Sequence, residues 1–149
     1  MTTIIYDHKN KQVACDSRVS RADGEYNDGY TKMVFHKSVL FILTGSNCDM
    51  QYFRENYEKH KKCELVDVDL DCSGFIVRDG IVYSVFIYGG VFNEDVCFCD
   101  DFAGSGGKYA ISALEHGKTI KESVGYAATK NCFTGGKVHV YDIAKADFI

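Results

Sequence analysis

Residues 1–18 read Met1-Thr2-Thr3-Ile4-Ile5-Tyr6-Asp7-His8-Lys9-Asn10-Lys11-Gln12-Val13-Ala14-Cys15-Asp16-Ser17-Arg18. Two short β-type runs, Thr3–Asp7 and Gln12–Asp16, flank the polar turn His8–Lys11 and predict a β-hairpin. Downstream, Arg21–Tyr30 carries Gly24, Asn27, Asp28 and Gly29 and reads as a loop. Lys32–Phe35 and Val39–Leu43 are two more strands around the turn His36-Lys37-Ser38. The period then changes. Ser46 or Asn47 N-caps a helix with Met50, Phe53 and Tyr57 on its apolar side, ending in the basic stretch Lys59–Lys62.

A second strand set follows: Ser73–Val77, Ile81–Ile87 and Val91–Phe98. Asp79-Gly80 is a two-residue hairpin signal, and Gly89-Gly90 marks a turn or bulge. The glycine corner Gly104–Gly107 opens a helix, Lys108–Glu115, that closes at Gly117. Thr119 caps a helix over Ile120–Lys130, with Glu122 completing a capping box. Lys137–Ile143 is the last strand and Ala144–Ile149 a tail. Strands arrive in hairpins rather than alternating singly with helices, which favours a layered α+β architecture over a doubly wound parallel sheet.

Composition bounds the remaining choices. A chain of 149 residues, 46% hydrophobic and 26% charged, is expected to form a single globular domain over 1–149. Its longest apolar run, Ile81–Val91, is broken by Ser84 and Gly89-Gly90 and falls short of a membrane span. The first residues lack the basic region of a signal peptide. A formal charge of −4 argues against a nucleic-acid partner. His60-Lys61-Lys62 reads as a solvated helix end. Seven cysteines without secretory context read as reduced thiols in a cytoplasmic protein.

Several chemical motifs fail on inspection. Gly104-Ser105-Gly106-Gly107-Lys108-Tyr109 has Phe102 and Tyr109 where a phosphate loop needs glycine and a hydroxyl residue. Tyr109 also denies the dinucleotide fingerprint its third glycine. Asp67-Val68-Asp69-Leu70-Asp71 begins like a calcium loop, but Cys72 and Arg78 replace its glycine and bidentate glutamate, leaving an acidic solvated segment. Cys97-Phe98-Cys99 lacks a second ligand pair for zinc and reads as core or edge cysteines. No cofactor or metal is expected.

Four features remain, in order. Methionine before a small residue is normally trimmed, which exposes Thr2 as an N-terminal residue holding both nucleophile and base. Its hydroxyl attacks, and its own amine, with a pKa of about 8 when unperturbed, takes the proton. Val13–Arg18 is an apolar strand ending in the carboxylate of Asp16. Lys32 opens an apolar strand. Leu43-Thr44-Gly45-Ser46-Asn47-Cys48-Asp49 is a strand-to-helix glycine turn. Alone, each is ordinarily a strand start, a turn former or a solvated lysine. Together with the glycine motifs they form an ordered set.

That set resembles the proteasome β-subunit family of N-terminal-nucleophile hydrolases, nearest the bacterial ATP-dependent peptidase subunit. The resemblance covers nearly all of the chain after Met1. It implies an α+β, four-layer αββα sandwich of antiparallel sheets. It makes Thr2 the nucleophile, and it matches Asp16 and Lys32 to the family's aspartate and lysine. Gly45 would be the backbone oxyanion donor, a contribution of typically about 3–4 kcal/mol to the transition state. Ser105 of the Gly-Ser-Gly-Gly corner would sit near the catalytic amine. Asn131 and Thr134 fall in the segment where the family has Asp-x-x-Ser-Gly-Gly, so an amide replaces a carboxylate and threonine replaces serine.

In these roles Lys32 lowers the amine's proton affinity, and Asp16 holds Lys32 charged and oriented. A substrate pocket lined by Ser20, Asp28, Thr31 and the neighbours of Gly45 is implied by the family geometry. So are a peptide or unfolded-protein substrate, a homo-oligomeric ring and an AAA+ unfolding ATPase as partner. Ile111, Leu114 and Ile120 would serve ring contacts or, more ordinarily, the core. The expected function is a threonine protease. The alternatives are a non-catalytic binding, decoy or structural subunit, and another amide hydrolase on the same fold.

Overall fold

The computed structural model describes residues 2–61 and 70–149. The opening hairpin is present: β1 (Ile4–Asp7) pairs antiparallel with β2 (Gln12–Cys15), with Ile4 opposite Cys15 and Asp7 opposite Gln12. Asp7 closes the turn by accepting from the Asn10 backbone N–H at 3.0 Å and its side-chain amide at 2.7 Å. A short ribbon pairs β3 (Val19–Ser20) with β4 (Tyr26–Asn27), so the segment Arg21–Tyr30, expected to be a loop, contains the strand β4.

A five-stranded antiparallel meander follows: β5 (Met33–His36), β6 (Val39–Gly45), β7 (Cys72–Arg78), β8 (Ile81–Tyr88) and β9 (Val91–Val96). Its tight turns each place two residues at positive φ: Lys37 and Ser38 at 48° and 65°, Asp79 and Gly80 at 52° and 74°, Gly89 and Gly90 at 57° and 73°. That geometry matches the right-handed strand twist, so the Gly89-Gly90 pair is a hairpin turn rather than a bulge. β10 (Asp101–Ala103), β11 (His139–Asp142) and β12 (Asp147–Phe148) complete the first sheet, in the order β10-β1-β2-β11-β12.

Between β6 and β7 lie α1 (Asn47–Glu55) and α2 (Tyr57–Lys61), and between β10 and β11 lie α3 (Gly107–Glu115) and α4 (Ile120–Lys130). The single helix expected through Tyr57 is in fact two. At Asn56 the side-chain amide donates to the Tyr52 carbonyl at 2.9 Å, and this local bond competes with helix continuation. Thr119 and Glu122 form the expected capping box on α4. The strand expected to reach Phe98 ends at Val96, and the last long strand is confined to His139–Asp142. The expected tail contains β12.

Three buried clusters organise these elements. Ile4, Tyr6, Val13 and Cys15 of the first sheet meet Leu40, Ile42, Phe75 and Val77 of the second. Phe41, Ile76 and Val85, on the other face of the second sheet, meet Met50, Phe53 and Tyr57 of the α1–α2 pair. Ile5, Ala14 and Val140 meet Ala110, Ile120, Val124 and Ala127 of α3 and α4. Strand alternation produces this partition, because successive residues of β1, β2 and β6 point to opposite faces. Ile111 and Leu114 pack against the α3–α4 cluster and Ile120 is buried in it, so all three serve the core.

His60 is not a solvated residue of a basic run. It is 2% exposed and stacked on Phe53 and Phe92 at centroid distances of 5.4 and 5.8 Å. Lys62 and the acidic Asp67–Asp69 lie outside the described residues. Cys97 packs against the inter-sheet core and Cys99 is exposed, beyond the end of β9. Among the described residues, no helix is long and apolar enough to cross a membrane.

Candidate active site

The hairpin register assembles the centre of the site. Ile4 opposes Cys15, so Asp16 falls beside the residues that precede β1, and its N–H donates to the Thr3 carbonyl at 3.2 Å. Asp16 Oδ1 accepts from the Thr3 N–H at 2.9 Å, from the Thr2 hydroxyl and from Lys32 Nζ at 2.7 Å. Its Oδ2 accepts the backbone N–H groups of Arg18 at 3.2 Å and Gly135 at 3.0 Å. Lys32 Nζ also donates to Thr2 Oγ1. The Thr2 hydroxyl therefore gives its proton toward Asp16 and receives one from Lys32.

This cluster is buried. Thr2 is 2% exposed, and the side chains of Lys32 and Asp16 are 4% and 1% exposed. Burial lowers the proton affinity of Lys32, and the neighbouring Asp16 carboxylate opposes that shift. An ion pair this deep needs further hydrogen bonds, and Asp16 has them from three backbone amides.

Gly45 ends β6 with φ +135°, and a Cβ there would lie 1.9 Å from the Asp71 carbonyl oxygen. Only glycine fits this turn. The turn is tied down on both sides. Ser46 N–H donates to the Asp71 carbonyl at 3.3 Å, and Asp49 accepts the Asp71 N–H at 3.0 Å. Ser46 Oγ caps α1 by accepting from the Asp49 N–H at 3.3 Å. Thr2, Lys32 and Gly45 then wall one cavity of about 140 Å³, with Val19, Ser20, Tyr30, Leu43 and Met50 among its other walls.

Ser105, Asn131 and Thr134 form a neighbouring cluster. Asn131 Oδ1 accepts from Ser105 Oγ at 3.4 Å and from the Phe133 N–H at 2.9 Å. Thr134 Oγ1 lies 2.6 Å from Thr3 Oγ1. This group reaches the site through Thr3, and the direct contact of the glycine corner with Thr2 is made by Gly104. A Cβ on Gly104 would sit 1.9 Å from the Thr2 carbonyl oxygen.

Asp28 and Thr31 do not line the cavity. Thr31 is exposed, and the Asp28 carboxylate pairs through bonds of 2.7 and 2.9 Å with Arg18, which is itself a wall of the cavity. Arg18 is the residue that sequence reasoning missed. Its guanidinium also donates to the Cys132 carbonyl at 3.1 Å and lies 3.8 Å from the Tyr26 ring centre. It fastens the 131–136 segment, whose Gly135 N–H supports Asp16, to the β3–β4 ribbon. The available signal was its place two residues after Asp16.

No protein-family model matches the sequence, and no curated protein matches it significantly. Solved structures do. HslV from Trypanosoma brucei superposes with TM-score 0.72 at 18% identity, covering 93% of this chain and 97% of its own. The chain has the proteasome-like fold of HslV. Thiobacillus denitrificans BPH in complex with epoxomicin gives TM-score 0.70 at 15% identity, over 94% of this chain and 97% of that one. A second BPH structure gives 0.63 at 16% identity, over 94% and 95%. At these identities the HslV likeness establishes architecture; the chemistry rests on the side chains described above.

Proposed function

We propose that the chain is a threonine-type peptidase of the proteasome-like class, acting through an acyl-enzyme on Thr2 after removal of Met1. The observation that carries this reading is the Thr2 hydroxyl held between Lys32 and Asp16 on the wall of a cavity that Gly45 shares.

Once freed, the Thr2 amine is the general base. The Lys32 ammonium lowers its proton affinity and keeps it neutral near neutral pH. The hydroxyl passes its proton to the amine as Oγ1 bonds to the scissile carbonyl carbon. The Gly45 N–H stabilises the resulting oxyanion. The amine's extra proton then goes to the departing nitrogen as the peptide C–N bond breaks. Water, deprotonated by the same amine, attacks the ester and releases a carboxylic acid, regenerating the hydroxyl.

The three buried clusters support a four-layer αββα order, with helices outside both sheets. The likeness to HslV and BPH supports a single 1–149 domain, a homo-oligomeric ring and an AAA+ ATPase partner. Ser105, Asn131 and Thr134 take the supporting role beside Thr3. Asn131, an amide where the resembled family carries a carboxylate, favours a second reading, a non-catalytic subunit. Peptide hydrolysis by the wild type and by Thr2→Ala separates the two. The proposal expects turnover that Thr2→Ala abolishes. Equal turnover in both proteins, or none in the Met1-free wild type, rules it out.

A further inference from the structure

β11 places His139 directly opposite Cys15 of β2. Opposed residues of an antiparallel pair project on one face, with Cβ atoms about 4.5–5.5 Å apart. Cys15 is fully buried in the layer between the sheets, and Tyr141, two residues from His139 on the same strand, is buried in that layer too. The imidazole therefore enters that layer beside the residue that precedes Asp16. Lys32, which immediately precedes β5, reaches the next residue of that strand end, its Nζ lying 2.7 Å from Asp16 Oδ1.

His139 Nδ1 is buried and has no hydrogen-bond partner among the described residues. The charged groups whose fields reach the ring are Lys137 on its own strand, Asp16 at the end of β2 and Lys32 ahead of β5. Burial, then Lys137, holds its proton affinity below that of an ordinary imidazole; Asp16 acts in the opposite direction and Lys32 in the same one. At neutral pH the ring is uncharged.

We propose that His139 is a positioning residue for the Lys32–Thr2 pair, resting on the peptidase reading above. While neutral, it leaves the Asp16 carboxylate to Lys32. Once protonated, it competes for that carboxylate and repels the ammonium from its station beside the Thr2 hydroxyl. No covalent bond changes; a proton moves from solvent to the ring. The acid loss of activity then contains two protonations, one at the Thr2 amine and one at His139. The sign follows from the lowered affinity: the productive state is full above about pH 6.5 and is lost as pH falls through the folded-state value.

The first test is kcat/KM for a peptide substrate between about pH 5 and pH 8, the range in which an imidazole changes charge. In His139→Gln, which cannot become charged, the ratio of activity at the acid end to that at the basic end rises by about threefold or more. In His139→Lys, with unchanged thermal unfolding, kcat/KM falls about tenfold even at the basic end. Superimposable wild-type and His139→Gln profiles overturn the proposal.

The second test needs no turnover. The imidazole resonances of His139 are titrated by NMR in the full-length wild type and in Lys32→Met. Coupling is reciprocal, so removing the ammonium raises the His139 midpoint by about half a pH unit or more. An unmoved midpoint overturns the proposal. A shifted midpoint in a chain that hydrolyses no peptide sustains the coupling and removes the peptidase reading instead.

Discussion

Lys32→Met separates the electrostatic frame of the site from its chemistry. Methionine keeps the stem and removes the ammonium. Asp16 then loses its 2.7 Å charged partner but keeps the Thr2 hydroxyl and three backbone N–H donors, those of Thr3, Arg18 and Gly135. Breaking a buried ion pair costs about 3–5 kcal/mol, and the surviving donors place this variant at the low end, about 3 kcal/mol. For a chain of this length, that is a fall in Tm of about 6–12 °C. Asp16→Asn removes the charge that compensates the buried ammonium and turns an amide NH₂ toward groups that are themselves donors. Its cost is about 4–5 kcal/mol.

The double variant removes both charges together and regains about 2 kcal/mol relative to the sum of the singles. Urea unfolding of the four proteins at neutral pH, with midpoint and slope fitted separately, measures the coupling. Additivity within about 0.5 kcal/mol would mean that Lys32 and Asp16 do not act as a unit and that the ammonium is not held by the carboxylate.

Other outcomes follow from single features. Gly45→Ala forces a Cβ onto the Asp71 carbonyl at positive φ; with both sides of the clash being backbone, peptide turnover is lost and stability falls by about 1–3 kcal/mol in urea unfolding. Thr119→Ala removes the α4 cap and costs about 1 kcal/mol with turnover unchanged, read by the same unfolding assay. His60 is held neutral by burial, its proton affinity lowered. Its contribution to stability is therefore full above about pH 6.5 and is lost as pH falls through the folded-state value. His60→Phe flattens that acid slope in thermal melts between about pH 5 and pH 7, and an unchanged slope assigns the acid loss elsewhere.

The hairpin, the meander and the two capped helices were legible because their signals are local. Ile4–Asp7 and Gln12–Cys15 differ sharply from the polar turn between them, and Thr119 with Glu122 lies within one helical turn. Asp16, Lys32 and Gly45 were legible as a set because strand ends and a glycine turn deliver them. β10 was not, since Asp101-Phe102-Ala103 is short and partly acidic and gains strand identity only by pairing with β1. Arg18 was hidden by distance, as its partners Asp28, Cys132 and Gly135 are up to 117 positions away along the chain. His60 was misread because charge dominated the reading of Lys59–Lys62, although Phe53, Tyr57 and His60 keep the four-then-three spacing of one buried face.

The expected pocket wall failed for a related reason. Asp28 stands close in sequence to Ser20, which does line the cavity, yet its carboxylate is taken up by Arg18, and it is Arg18 that reaches the wall. Charge pairing decided its direction, and a one-dimensional spacing carries no information about that choice.

The proposed chemistry turns on a single oxygen atom, Thr2 Oγ1. The direct measurement is the mass of the N-terminal proteolytic fragment after the purified protein has reacted with a peptidyl acylating probe. A fragment that starts at Thr2 and carries the probe's acyl group on that residue is the predicted result. A fragment without the probe, from a preparation whose peptide hydrolysis survives Thr2→Ala, would contradict it.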